Sequence, residues 1–405
     1  MRSWLSLLLI LSVFWAANEF GPAEMIFQRT WIVEGSPGTA YRLDGTLAVN
    51  DSSQQVAVLE MPPGARVTML PDGVLRLNYT HLLAQPREEV RVKLRVRIER
   101  ATVLENDPPF EPHPVPATPL TAYDTAMQQQ AEELVDPEST LRTVAYLVEW
   151  VHSTVEYDIR YWGKTENAQT VFHNRRGVCV EYSHLLISLF RSIGLNTRYV
   201  SGYVLADQWQ PHAWVQVELP GYGWMDADAT FNQVGVVDNT HLAMYYGEDQ
   251  ASVYDSVIAN QPVTFSTDER ILTHVSRPQT PSPLSVFYVS NRSNGDISIH
   301  ITNQRPDYRY VAYSLVLPNR YGDSVERVLL LSPNEEKTFR YSPRAPFDSG
   351  FIYRLPFVAR ANDFTLQSDF VVERKEEVPP PMQQLPECLS LFILLAVAAY
   401  AGGKP

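Results

Sequence analysis

The chain of 405 residues is long enough for two or three domains, each with a core of its own. Acidic residues outnumber Lys and Arg by 46 to 33, and the formal net charge of −13 argues against nucleic acid as a partner. Of the two cysteines, Cys388 lies in an apolar tail, so a disulfide with Cys179 is excluded.

Residues 1–17 have the features of a secretory signal peptide. Arg2 supplies a positive start, "WLSLLLILSVFW" is an apolar core of suitable length, and the small residues Ala16 and Ala17 follow it. We expect cleavage there and export of the remainder of the chain. The alternative is an uncleaved N-terminal anchor.

Residues 18–106 are predicted to form an N-terminal β-sandwich. Short runs of alternating apolar residues, from "YRLDGTLAV" to "VRVKLRVRI", are separated by Asp-Gly, Pro-Gly and Pro-Pro turn signals. We expect about seven antiparallel strands, as in immunoglobulin-like sandwiches. The Pro-dense segment 107–120 has no periodicity and is predicted to be a linker.

Residues 121–275 are predicted to form an α+β domain. "TAMQQQAEELV" and "STLRTVAYLVEWVHSTV" have helical periodicity, with Ser139 as the N-cap of the second helix. A third helix is predicted from Val178 to Ile193, closed by Gly194. The stretches "TRYVSGYVLA", "HAWVQVEL" and "GWMDADAT" then alternate with a period of two and predict three strands of an antiparallel sheet.

Residues 276–374 are predicted to form a second β-sandwich, because alternating runs follow one another from "SVFYVS" to "TLQSDFVV". Residues 375–387 are a Pro-rich stalk, and the apolar run 388–403 is predicted to be a transmembrane or sorting segment, either retained or removed. We therefore expect an exported protein at the cell surface, anchored to the membrane by this C-terminal segment.

Cys179 stands at the predicted start of the third helix. A lone buried cysteine is commonly core filler, and a metal site is disfavoured because there is no Cys-x-x-Cys and the nine histidines are scattered. The position favours a nucleophile instead, since the backbone N–H groups and the dipole at a helix N-terminus stabilise a thiolate. The apolar residues that follow, among them Leu185, Leu186 and Leu189, predict a core-facing side that holds the helix in place.

A thiol nucleophile needs a base, and His212 at the start of "HAWVQVEL" is the candidate. The base in turn needs a side chain that accepts a hydrogen bond from its other ring nitrogen. Asp226 and Asp228 lie on the next predicted strand, two residues apart and therefore on the same face. The "PGYG" turn between the two strands brings this pair close to the start of the His212 strand.

These separated elements resemble the core of the transglutaminase-like superfamily. The resemblance rests on "GVCVEYSHLL", "GLNTRYVSGY", "HAWVQVEL" and "GWMDADAT", in that order, and covers about 55 residues densely. It implies a papain-like α+β catalytic domain with Cys179 as nucleophile, His212 as base and Asp228 as the residue that orients it. Asp226 is then a neighbour of the triad. One departure is Ala229, where the family usually has proline.

The resemblance implies acyl transfer through a thioester on protein or peptide amides, by hydrolysis or by cross-linking to an amine at the cell envelope. Tyr157, Trp162 and Gln169 are candidates for a side-chain donor to the oxyanion, and Trp214 and Trp224 are expected to shield the site from water. No cofactor or metal is expected, since no calcium-loop pattern is present. The alternative is a non-catalytic surface scaffold or adhesion protein on the same fold. The oligomeric state and the role of the flanking sandwiches stay open.

Overall fold

The computed structural model describes residues 20–100, 104–219, 221–277, 282–344 and 347–374. The predicted signal peptide, the Pro-rich stalk and the apolar segment 388–403 lie outside the described residues. Among the described helices, none is both long enough and apolar enough to cross a membrane. This finding corrects the prediction of a transmembrane helix.

The first unit is a β-sandwich that begins with six strands. Their bounds are β1 Ala23–Gly35, β2 Ala40–Val49, β3 Gln54–Glu60, β4 Arg66–Met69, β5 Val74–Leu82 and β6 Arg87–Ile98. Strict alternation builds its core: along β6, Val90, Val92, Leu94 and Val96 are buried between charged residues that face outward. Strand β1 was missed from the sequence, where the sandwich strands were sought from about residue 30 onward.

The middle unit contains four α-helices within the described residues. They are α1 Thr125–Glu132, α2 Thr140–Thr154, α3 Ala168–Asn174 and α4 Cys179–Ser192. Ser139 caps α2 through its side chain, which accepts a hydrogen bond from the Arg142 backbone N–H, as the sequence predicts. Helix α4 is closed by Gly194 at φ +88°, a left-handed conformation that glycine adopts without strain.

Helix α4 packs against a five-stranded antiparallel sheet. The short strands β7 Glu156–Tyr157 and β8 Arg176–Gly177 form a parallel pair just before α4, and the sheet strands are β9 Thr197–Leu205, β10 Trp209–Leu219, β11 Gly223–Asp228, β12 Gln233–Gly235 and β13 His241–Gly247. The strand order in the sheet is β12-β11-β10-β9-β13. One sheet face contributes Ala213, Val215 and Ala227 to the core shared with α4. The opposite face carries His212, Trp214 and Asp228 because side chains alternate along a strand.

The chain then returns to the first sandwich. Strand β14 Ser256–Ala259 pairs with β2, and β15 Val263–Ser276 pairs with β1 along its whole length. The two sheets of this sandwich are β15-β1-β6-β3 and β14-β2-β5-β4. The predicted range 121–275 for the catalytic domain therefore differs from the structure, in which residues 256–276 complete the N-terminal sandwich.

The last unit is a second β-sandwich. Its strands are β16 Leu284–Ser290, β17 Ile297–Asn303, β18 Arg309–Val316, β19 Val325–Leu331, β20 Glu336–Tyr341, β21 Ile352–Ala361 and β22 Phe364–Glu373. They form the sheets β16-β17-β20 and β19-β18-β21-β22 around an apolar core. The predicted fold class, an α+β domain flanked by two all-β sandwiches, is confirmed.

Candidate active site

Cys179 is the first residue of α4 and is held there by a glutamate. The Glu181 carboxylate accepts hydrogen bonds from the backbone N–H groups of Val178 (3.0 Å) and Glu166 (3.2 Å). Gly177 makes room for this arrangement, since a Cβ at that position would lie 2.3 Å from the Glu181 Cβ. The helix start is therefore fixed before the nucleophile, and the N–H of Cys179 itself has no partner within the helix. The cysteine side chain is buried, with 4% of the residue exposed.

His212 lies near the beginning of β10, opposite Gly202 of β9. Its Nε2 donates a hydrogen bond to Asp228 Oδ2 at 2.7 Å, and its side chain also hydrogen-bonds with Cys179. Burial alone would lower the pKa of His212. The charge of Asp228 and the hydrogen bonds to Asp228 and Cys179 outweigh burial and raise this pKa from 6.5 to about 9.

Asp228 ends β11 and is buried as an ionised carboxylate. Its Oδ1 accepts hydrogen bonds from the backbone N–H groups of Thr230 (2.7 Å) and Phe231 (3.2 Å), and its Oδ2 accepts from two histidines. Burial favours the neutral acid, but the charges of His212 and His241 and their hydrogen bonds hold the pKa of Asp228 well below 3.8. All the acceptor sites of this carboxylate are in use.

Asp226, the other aspartate considered, serves a different purpose. Its Oδ1 accepts hydrogen bonds from Trp214 Nε1 (3.0 Å) and Gln216 Nε2 (2.8 Å), and its Oδ2 lies 3.8 Å from Arg100. The structure thus brings Cys179, His212 and Asp228 together and places Asp226 beside them. The assignment of catalytic roles to these three residues stays a prediction.

His241, the first residue of β13, was missed from the sequence. Its Nε2 lies 3.1 Å from Asp228 Oδ2, and its Nδ1 lies 2.9 Å from Asp238 Oδ1. Gly202 allows β13 to approach, because a Cβ there would lie 1.9 Å from the Leu242 carbonyl oxygen. The one local signal is the spacing of three residues between Asp238 and His241, which is too common to identify a site.

The side chains of His212, Asp228 and His241 are also the candidate metal ligands among the described residues. Each offers one ligand atom, and the three atoms lie within 4.8 Å of one another. The fold therefore creates a close histidine pair where the sequence shows scattered histidines. The two Nε2 atoms lie 2.7 and 3.1 Å from Asp228 Oδ2, which are hydrogen-bond distances, and this geometry favours a charge network over a metal centre.

Aromatic residues enclose the histidines. The rings of Trp214 and His212 stack with centroids 5.9 Å apart, and the Phe231 ring stands edge-on to His212 at 5.2 Å. Trp224 is 37% exposed and stacks on the Arg198 guanidinium, so the prediction that it shields the site is wrong. Trp214, by contrast, does cover one face of the His212 ring.

Of the three side chains considered as oxyanion donors, the structure brings Tyr157 to the nucleophile. Tyr157 pairs with Gly177, two residues before Cys179. Burial raises the pKa of Tyr157 well above 10, and the nearby charges of Cys179 and Asp228 add to the shift, so the phenol keeps its proton. Trp162 is an exposed side chain at the end of a 3₁₀ turn, and Gln169 lies partly buried on α3.

A polar cleft of about 750 Å³ opens between the first sandwich and the sheet. Asp51 and Asp72 line it on the sandwich side, and Arg198, Trp224 and Asp226 line it on the sheet side. Neither Cys179 nor His212 belongs to its lining. The cleft is therefore separate from the thiol and the histidine.

Residues 128–229 match the family model described as the transglutaminase-like superfamily. The match contains Cys179, His212 and Asp228 and ends one residue after Asp228, so Asp238 and His241 lie beyond it.

Two curated relatives illustrate the similarity. An uncharacterized protein of Mycobacterium leprae is 26% identical over 145 residues, which cover 34% of this chain and 50% of that protein. A protein-glutamine gamma-glutamyltransferase of Pseudomonas aeruginosa is 31% identical over 72 residues, which cover 15% of this chain and 11% of that protein. The matches thus span half or less of the length of these relatives.

Solved structures give more distant matches. A candidate cysteine protease from Cytophaga hutchinsonii is 18% identical with a TM-score of 0.42, and the match covers 64% of this chain and 93% of that chain. Red sea bream transglutaminase is 8% identical with a TM-score of 0.22, and the match covers 83% of this chain and 77% of that chain. Similarity at this level says nothing about activity.

Proposed function

Because residues 128–229 match the transglutaminase-like family model, we propose that this chain is a thiol acyl-transfer enzyme that acts on protein or peptide amides. The observation that carries the proposal is the buried arrangement of Cys179 at the start of α4, His212 beside it, and Asp228 bonded to His212 at 2.7 Å. A nucleophile, a base and an orienting carboxylate in this order are what acyl transfer through a thioester requires.

In the first half of the reaction, the Cys179 thiolate attacks the carbonyl carbon of the substrate amide. A C–S bond forms, and the C–N bond then breaks as His212 gives its proton to the departing amine. Because Nε2 of His212 is bound to Asp228, the proton leaves from Nδ1. The backbone N–H of Cys179 and the Tyr157 hydroxyl are the donors we assign to the carbonyl oxygen as it becomes negative.

In the second half, an acceptor attacks the thioester and His212 takes its proton. The C–S bond breaks and the thiolate is restored. Water is the acceptor that needs no second binding site, so hydrolysis is the simpler form of the proposal. Transfer to an amine is the second candidate, favoured by the similarity to the gamma-glutamyltransferase of Pseudomonas aeruginosa over 72 residues. The location at the cell envelope stays a prediction.

A paired assay tests the proposal. The chain is incubated with a peptide library to detect cleavage, and separately with a glutamine-containing protein and a labelled amine to detect incorporation. We expect product in at least one arm and a loss of at least about 1,000-fold in Cys179→Ser. Product in neither arm, from a folded protein, would support the non-catalytic scaffold and overturn the proposal.

A further inference from the structure

Asp228 has a second histidine on the side away from the nucleophile. Its Oδ2 accepts hydrogen bonds from both His212 and His241, and His241 in turn bonds to Asp238. His241 and Asp238 are completely buried in the described structure. The triad therefore continues as an unbroken row from Cys179 to Asp238. Neither of the two added residues has a part in the acyl transfer proposed above.

The geometry defines the protonation state of His241. Its two ring nitrogens both face carboxylate oxygens, at 3.1 Å for Nε2 and 2.9 Å for Nδ1. A neutral imidazole carries one N–H and would turn a lone pair toward one of these carboxylates. The imidazolium satisfies both. The two charges of Asp228 and Asp238 accordingly raise the pKa of His241 to about 9 against the effect of burial.

Asp238 is held in place by neighbours on β12 and on its own loop. Gln233 Nε2 donates to its Oδ2 at 2.9 Å, the Thr240 backbone N–H donates to its Oδ1 at 3.0 Å, and the Thr240 hydroxyl also donates to Oδ1. These hydrogen bonds hold the Asp238 carboxylate in the position from which it binds His241.

The first sandwich fixes the backbone of the same segment. Arg100 follows β6 and donates from Nη1 to the Asp238 carbonyl and from Nη2 to the His241 carbonyl, both at 2.9 Å. Gln54 of β3 binds both the N–H and the C=O of Ala243 through its side chain. Among the described residues, the charged groups around His241 are Asp228 and Asp238 on its ring nitrogens, the Arg100 guanidinium on its backbone carbonyl, and His212 at a ring-centroid distance of 5.3 Å.

We propose that His241 is a positioning residue of the active site: held as an imidazolium by Asp238, it keeps Asp228 ionised and aimed at His212 and weakens the hold of that carboxylate on the His212 proton. The inference rests on the proposed acyl transfer. Asp228 must support the imidazolium of His212 while the thiolate exists, yet His212 has to release its proton to the departing amine. A carboxylate whose charge is shared between two histidines meets both needs.

Alkylation of Cys179 by iodoacetamide, followed from pH 4 to 10, tests this without any substrate. A thiolate–imidazolium pair gives two inflections, and the upper one reports loss of the His212 proton. His241→Gln keeps a donor toward Asp228 but removes the positive charge. We expect its upper inflection to move to higher pH by about one unit. Asp238→Asn, which is nearly isosteric, should move it in the same direction by less.

His184→Gln is the matched control. His184 is a fully buried histidine of α4 whose ring nitrogens bond to the Glu166 carbonyl and the Gln250 N–H, both of them backbone groups. Its substitution should lower the melting temperature and leave both inflections in place. Because His241→Gln risks unfolding the chain, Asp238→Asn provides the second reading, and thermal melts establish which variants are folded.

An upper inflection that stays at the wild-type pH in each folded variant of the pair would overturn the inference, since a merely structural histidine alters stability and not proton affinity at His212. Failure of the proposed function gives a different result. In that case the wild-type profile itself has a single inflection like that of an ordinary thiol, and His212→Ala leaves it unchanged.

Discussion

The two sandwiches contact the catalytic domain in different ways. The N-terminal sandwich inserts buried polar side chains, with Arg100 on the carbonyls of Asp238 and His241 and Gln54 on the backbone of Ala243. The C-terminal sandwich packs on α2 and the loop after Asp228. There its strand β19 supplies the ion pairs Glu326–His152 (3.2 Å) and Arg327–Glu149 (3.1 Å), in which Glu326 and Arg327 are largely exposed.

Both interfaces have an apolar part as well. Leu242 and Met244 of β13 belong to the core of the first sandwich, while Tyr310, Val328 and Leu330 of the second belong to the core around α4. The difference lies in the polar contacts that approach the site. The hydrogen bonds that Arg100 and Gln54 of the first sandwich make to Asp238, His241 and Ala243 end on backbone groups, which do not titrate. Those of the second include His152, whose Nδ1 bonds to the carbonyl of Ala229, the residue after Asp228.

The structure thus predicts that the first sandwich is a permanent part of the site and that the second contributes in a pH-dependent way. Strands β14 and β15 strengthen this view, because the chain re-enters the first sandwich after the catalytic sheet. The first sandwich therefore contains strands that precede the catalytic domain in sequence and strands that follow it. The second sandwich follows the catalytic domain in sequence, and its two sheets are built from β16 to β22.

The largest loss of stability is expected from Arg100→Gln. Removal of the guanidinium takes one donor each from the buried carbonyls of Asp238 and His241, which costs about 1–3 kcal/mol in the free energy of unfolding. Because His241 loses its backbone support, thiol reactivity at neutral pH should also fall. Urea unfolding and alkylation of the same samples measure the two effects.

Arg270→Gln serves as the control for Arg100→Gln. Arg270 lies on β15 of the same sandwich and makes an exposed ion pair with Asp268 at 2.8 Å. Such a pair contributes little to stability. Unfolding free energies of the two variants that agree within error would contradict the permanent role of the first sandwich.

A smaller loss of stability is expected from Glu326→Gln, and this loss should depend on pH. Burial would lower the pKa of His152, but the bonds to Glu326 and to the Ala229 carbonyl raise it above 6.5, while His152 lowers the pKa of Glu326 below 4.5. Because its pKa is raised on folding, His152 contributes its full stabilisation below pH 6.5, and this stabilisation is lost as the pH rises through the pKa of the folded state. Because its pKa is lowered on folding, Glu326 contributes its full stabilisation above pH 4.5, and this stabilisation is lost as the pH falls through the pKa of the folded state.

The pair therefore stabilises the fold most between about pH 4.5 and 6.5. Glu326→Gln should reduce the unfolding free energy there by about 0.5 kcal/mol, and wild type and variant should converge above the folded pKa of His152. Thermal melts across pH measure the difference. A constant difference at all pH values would show that the contact acts through packing alone.

The sequence predicts the C-terminal sandwich well. The alternating runs from "SVFYVS" to "TLQSDFVV" fall on its strands β16 to β22, because each strand has a local period of two between turn residues. Strands β14 and β15 were not assigned. Their partners β2 and β1 are more than 200 residues away, and the exposed outer face of β15 gives no clear alternation. Pairing over such a distance leaves no local trace.

The same reason explains what was missed at the site. Cys179, His212 and Asp228 each stand within a recognisable stretch, so their meeting could be expected from the sequence. His241 belongs to a short strand that reaches Asp228 because Gly202 lets two backbones approach closely. Asp238 and Arg100 are functional only through His241. Residues that only position another functional residue do not belong to a recognisable sequence motif, so the sequence alone does not identify them.

The central claim is that His212 activates Cys179 as a nucleophile. Its most direct test is the rate of Cys179 alkylation by iodoacetamide at pH 6 in wild type and in His212→Ala. At this pH an ordinary thiol is less than about 1% ionised, so a thiolate–imidazolium pair should react at least about 100-fold faster than the variant. Equal rates in the two folded proteins, with a profile like that of free cysteine, would contradict the account.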